Sequence, residues 1–131
     1  MVIDTSALIA IMLGERSRQT LLNEIEAAAE RVISSVSLLE AGMVLRARLG
    51  ADAVRLLYQL VEELGIEVIP LDSMQARAAI RAFGRYGKGM GYPAQLNFGD
   101  CAVYALTELR EEPLLAMGNG FAATDLIVVD L

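Results

Sequence analysis

Short apolar runs alternate with amphipathic segments of helical period along this chain, and that alternation is what most restricts its fold. Residues 2–4, 31–34, 67–69, 114–116 and 127–129 read as strands, each bounded by polar or turn-forming residues. Between them, residues 8–13, 18–29, 37–48, 52–64, 72–83 and 97–108 carry helical patterns, with Ser17 and Asp72 or Ser73 as caps and Gly50 and Gly65 as stops. Strands that recur only after a helix pair most readily in parallel, so the expected fold is α/β, with a mainly parallel central sheet flanked by helices. No linker or repeat divides the 131 residues, and one domain over 1–131 is expected. Residues 84–93 hold four glycines and a proline and read as a mobile loop, and residues 118–125 as a turn or short helix.

The chain contains no histidine, which removes the usual general base, the serine triad and the common zinc motifs. Hard cations held by oxygen become the economical chemistry, so Mg²⁺ is expected, with Mn²⁺ as the substitute. Asp4 closes the first strand, Glu40 lies among Leu38, Leu39, Met43 and Val44, and Asp100 opens a helix. Each has an ordinary explanation: a helix cap, a flank charge, a partner for a helix dipole. Together they converge on the C-terminal edge of a parallel sheet, where sites in such folds are built. A carboxylate cluster with divalent cations suits phosphodiester hydrolysis, because the ion lowers the pKa of water and stabilises the leaving oxygen.

The net charge of −6 opposes casual binding of nucleic acid, but its distribution is uneven. Residues 74–99 hold no acid, and Arg77, Arg81 and Arg85 recur there at a spacing of four, followed by Lys88. That stripe reads either as a solvated helix face or as a phosphate-binding surface for RNA, with Tyr86 or Tyr92 available to stack on bases. The apolar fraction of 55% and mean hydropathy of +0.46 are high for so small a chain, which points to faces buried against a second copy or another protein. Leu8, Ile9, Met12 and Leu13, with Leu39, Met43 and Val44, are the candidates. The longest apolar run, residues 7–13, is far short of a bilayer span, and the lone Cys101 has no partner for an internal disulfide. A soluble protein of a reducing compartment, the cytoplasm, is expected, with Cys101 a small core residue.

Four segments carry a resemblance. Val2-Ile3-Asp4-Thr5-Ser6-Ala7, Ser37-Leu38-Leu39-Glu40, Pro93-Ala94-Gln95-Leu96-Asn97-Phe98-Gly99-Asp100-Cys101 and Phe121-Ala122-Ala123-Thr124-Asp125 resemble, in order, the PIN-domain ribonuclease toxins of the VapC type. The resemblance implies a Mg²⁺-dependent endoribonuclease, toxic when free, dimeric, and neutralised by an antitoxin whose C-terminal segment crosses the active-site groove. It assigns metal binding to Asp4, Glu40 and Asp100, adds Asp125 as a fourth acid of the site, and makes Thr5, Ser6 and Thr124 supporting hydroxyls. The sequence departs from the family pattern at two places. Met117-Gly118-Asn119-Gly120-Phe121 stands where relatives commonly read Lys-Gly-Asn-Asp-Phe, and Tyr92 stands where many have histidine. The missing acid at Gly120 leaves open a second reading, a weakened PIN fold that serves as a binding module. A phosphatase using the same acids is a third, and it leaves the basic stripe unexplained.

Overall fold

The computed structural model describes residues 1–131. Four strands form one sheet in the order β3-β2-β1-β4, all parallel: β1 (Val2–Ile3), β2 (Val32–Ser34), β3 (Glu67–Ile69) and β4 (Leu114–Leu115). The helices are α1 (Thr5–Met12), α2 (Arg18–Ala27), α3 (Ser35–Leu49), α4 (Ala51–Glu63), α5 (Ser73–Tyr86) and α6 (Phe98–Arg110). None is long and apolar enough to cross a membrane.

Strands β1, β2 and β4 are buried on both faces, as a parallel sheet covered on two sides requires, whereas β3 at the edge is largely exposed. Ile3, Ile33 and Leu115 point into a core shared with Leu8, Leu21, Leu45 and Leu57 of α1 to α4. Their neighbours Val2, Val32 and Leu114 point the other way, against Ala82 and Tyr86 of α5 and Val103 and Leu106 of α6. Alternate side chains of two- and three-residue strands therefore join both cores.

Chain order places the site. From β1 the chain builds outward through β2 to β3, then returns over α5 and α6 to lay β4 on the opposite flank of β1. The direction of winding reverses between β1 and β4, and a crevice opens at the carboxyl ends of strands at such a reversal.

Four expectations are corrected. The first helix begins at Thr5 rather than at residue 8, because Asp4 caps it. Residues 127–129 form no strand: β4 offers them only Leu114, so the contact is a single parallel bridge between Leu114 and Val128. Ser17 stands at the N-cap of α2, yet its hydroxyl makes no capping hydrogen bond. α5 runs three residues beyond position 83 to include Tyr86, whose ring is buried against Tyr92 and Tyr104 and is not available to stack on a base. The glycine-rich loop that follows is closed at its base, where Lys88 N–H donates to Leu96 O and Leu96 N–H to Tyr86 O, both at 2.9 Å.

Candidate active site

Asp4 follows β1 directly, at the carboxyl end of the strand. Its N–H donates to Leu115 O at 2.9 Å, which fixes it beside the end of β4. One carboxylate oxygen, Oδ2, accepts from Ser6 N–H at 3.0 Å and from Ser6 Oγ–H at 2.6 Å. Ser6 Oγ in turn accepts from Met117 N–H at 2.9 Å, tying the β1–α1 junction to the segment after β4. Thr5 Oγ1 donates to Ser37 O at 2.9 Å, which fastens α1 to the first turn of α3. Glu40 lies one turn further along that helix, where 3.6 residues per turn bring it back toward the Ser37 side.

Asp100 is the third residue of α6 and part of a reciprocal capping box. Its N–H donates to Asn97 Oδ1 at 2.9 Å, and its Oδ2 accepts from Asn97 N–H at 3.0 Å. Beside it, the Glu40 carboxyl lies against the α carbon of Gly99. Burial pushes the Glu40 carboxyl above its ordinary value of 4.5, and repulsion from Asp4 and Asp100 adds to the rise. Asp100 is also raised, by burial first and by Asp4, against the opposing pull of the Asn97 N–H. No arginine, lysine or terminal ammonium pairs with any of these three acids.

An uncompensated group of partly buried carboxylates, all hard oxygen donors, is chemically suited to a divalent cation. As the side chains stand, no three acids converge closely enough to share one ion. Cys101 adds nothing to the donor set: it is buried, and burial together with Asp100 pushes its thiol up.

Asp125 is engaged by a different pair of partners. Its Oδ1 accepts a 2.5 Å hydrogen bond from Tyr104 Oη–H, and Arg85 approaches Oδ2 at 3.6 Å. The Tyr104 bond, with Arg85 behind it, holds the Asp125 carboxyl below its ordinary value against the effect of burial. Asp125 lines a groove with Thr107 and Glu108 in the second half of α6 and with Glu111 and Glu112 just beyond its end. Tyr104, its partner, lies about 6 Å along the helix axis from Asp100, at 1.5 Å per residue. Asp125 thus ties the C-terminal segment to α5 and α6.

The basic stripe divides. Arg77 and Arg81 are exposed on α5, and Lys88 is exposed beyond its end. Arg85 instead covers the Tyr86 ring at 4.6 Å and faces Asp125. Thr124 turns its hydroxyl inward to donate to Phe121 O at 2.7 Å. Gly120 is exposed, and a methyl group added there meets nothing within 4 Å. Sequence reasoning passed over Asn97, Gly99 and Tyr104. Asn97 was legible, since an asparagine followed three residues later by an acid is a capping signature; the other two depend on what α3 and residue 125 bring against α6.

A three-layered parallel α/β fold with acids gathered where β1 and β4 end is the architecture of a small nuclease-like domain. A family model described as PIN domain matches residues 1–126. Ribonuclease VapC36 of Mycobacterium tuberculosis is 44% identical over 127 residues, covering 96% of this chain and 91% of the relative. Ribonuclease VapC42 of the same organism is 38% identical over 126 residues, 96% of each chain. Among solved structures, M. tuberculosis VapC20, titled a sarcin-ricin loop cleaving toxin, superposes with a TM-score of 0.79 at 18% identity, covering 98% of this chain and 97% of that one. VapBC2 of Rickettsia felis, bound to a DNA fragment from its promoter, gives 0.76 at 14% identity, covering 98% and 96%. The chain belongs to the PIN-domain family and, within it, to the VapC ribonucleases.

Proposed function

We propose that this chain is an endoribonuclease toxin that hydrolyses RNA phosphodiesters with a divalent cation, Mg²⁺ or Mn²⁺, held by Asp4, Glu40 and Asp100. The observation that carries the reading is the presence of three partly buried acids with no basic partner near the switch point of the sheet. When bound, the cation lowers the pKa of the attacking water and neutralises charge on the leaving oxygen. Ser6 fixes the Asp4 carboxylate, so that one oxygen is committed to the serine and the other is left to the site. Asn97 likewise engages one oxygen of Asp100. Arg77, Arg81 and Lys88 would hold phosphate along α5 and the loop beyond it, a contact that positions the strand without reading its sequence. The identity of 38–44% to proteins named as ribonucleases supports turnover over a role in binding alone.

An antitoxin partner fits the same reading, because the solved neighbours include toxin–antitoxin complexes, one of them from Klebsiella pneumoniae. A groove of about 800 Å³ between α3 and α4 is lined by Leu38, Leu39, Met43, Val54 and Tyr58 and would take an apolar segment of that partner. Leu39 and Met43 are exposed as expected for an interface, whereas Leu8 is wholly buried and belongs to the core. A homodimer would cover further apolar surface, including Phe98 and Ile80.

Calorimetric titration with Mg²⁺ tests the metal assignment. Binding to the wild type should vanish in Asp4→Asn and in Asp100→Asn, while Asp125→Asn should bind as the wild type does. Undiminished binding in the first two variants would remove the acids from the site.

A further inference from the structure

We infer that Gly99 is a positioning residue, required as glycine so that the Glu40 carboxylate can lie against the first turn of α6 beside Asp100. The inference rests on the metal site proposed above and names what shapes it. A methyl carbon at position 99 would collide with the Glu40 carboxyl: its three nearest atoms are the two oxygens and the carboxyl carbon, and even the furthest of them, Oε2, would stand only 2.8 Å away. Contact at that distance requires one side to move, and the residue that moves is a ligand.

Backbone conformation does not explain the glycine. Gly99 is absent from the left-handed positions, which are held by Gly14, Gly50, Gly65, Gly89, Gly91 and Gly118. It sits inside a helix, where alanine is the better helix former. What distinguishes the site is the carboxylate above it. Gly99 is buried under Glu40, which crosses from α3 onto the positive end of the α6 dipole. A side chain at 99 would push Glu40 off this seat and away from Asp100, two carboxylates that no local sequence motif brings together.

The test is a cycle of Gly99→Ala, Glu40→Ala and the double variant, read by Mn²⁺ affinity in electron paramagnetic resonance titrations and by thermal melting without metal. Gly99→Ala should lower Mn²⁺ affinity by about 10-fold or more, the usual effect of disturbing a group that orients a metal ligand. In the Glu40→Ala background the same change should leave both the remaining Mn²⁺ affinity and the melting temperature undiminished. If Gly99→Ala alone fails to fold, the double variant decides: folding supports the clash with Glu40, and failure overturns it. Equal Mn²⁺ affinity in Gly99→Ala and the wild type overturns the positioning role, as does an equal loss of melting temperature in both backgrounds. A wild type that binds no Mn²⁺ overturns the metal reading itself, and the positioning role with it.

Discussion

Ser6 donates a 2.6 Å hydrogen bond to Asp4 Oδ2 while its own oxygen accepts from Met117 N–H at 2.9 Å. One hydroxyl therefore fixes an acid at the end of β1 and the chain leaving β4. Ser6→Ala keeps the backbone bond from residue 6 to Asp4 but frees the carboxylate to rotate and leaves Met117 N–H without its acceptor. RNA cleavage should fall by about 10- to 100-fold, as for other groups that orient metal ligands, with a stability loss of about 1–2 kcal/mol. Chemical denaturation and initial cleavage rates measure the two effects, and unchanged cleavage would show that Asp4 needs no such support.

Asp125 is expected to matter for stability and little for chemistry. Its carboxylate accepts from Tyr104 and faces Arg85, so Asp125→Asn weakens the attachment of the C-terminal segment to α6. The melting temperature should fall while Mg²⁺ affinity stays at the wild-type value. A loss of Mg²⁺ binding without loss of stability would return Asp125 to the metal site.

The acids also set a pH dependence. A carboxyl raised in the folded chain holds its proton more tightly there, so it favours folding below its raised pKa and opposes it as pH climbs through that value. Glu40 and Asp100 are both raised, from ordinary values of 4.5 and 3.8. Metal-free protein should therefore lose stability as pH rises from about those values toward neutrality, and Glu40→Gln should flatten the loss. Glu112 acts in the opposite sense: burial alone would raise it, but the N-terminal ammonium and Arg110 hold it low, so its contribution is lost as pH falls through its depressed value. Melting curves from acid to neutral pH without metal provide the check. A wild type and Glu40→Gln with parallel profiles would contradict a Glu40 carboxyl raised by burial and its acidic neighbours.

Gly120 stands where the resembling toxins carry an acid, and the structure has room for one. The position is exposed, outside the left-handed region, and open around an added side chain. Gly120→Asp should fold as the wild type does and raise cleavage, by about 10²-fold if a few kcal/mol of transition-state stabilisation is added through a second ion. Equal rates would mean that the existing acids already suffice.

How far the sequence could be read depended on the range of the interaction. Apolar runs and helix stops located four strands and all six helices, because these signals are local. The expected strand at residues 127–129 failed because pairing depends on the length of its neighbour, and β4 is only two residues long. Asp4, Glu40 and Asp100 were selected by position within their elements, and burial together with nearby like charge raises Glu40 and Asp100. What engages Asp125 and Arg85 was not legible along the chain: Tyr104, twenty-one positions from Asp125, donates to its carboxylate, and Arg85 approaches the same group at 3.6 Å. Tyr86 looked like a loop residue because glycines surround it, but core packing carries α5 through it.

The central claim is that Asp4, Glu40 and Asp100 together support metal-dependent cleavage of RNA. It is tested most directly by incubating the purified protein with a mixed RNA pool in Mg²⁺ and in EDTA, alongside Asp4→Asn. New internal cleavage products are expected in Mg²⁺ with the wild type, none in EDTA, and none with a folded Asp4→Asn protein. Cleavage that persists in EDTA, or that survives Asp4→Asn undiminished, would contradict it.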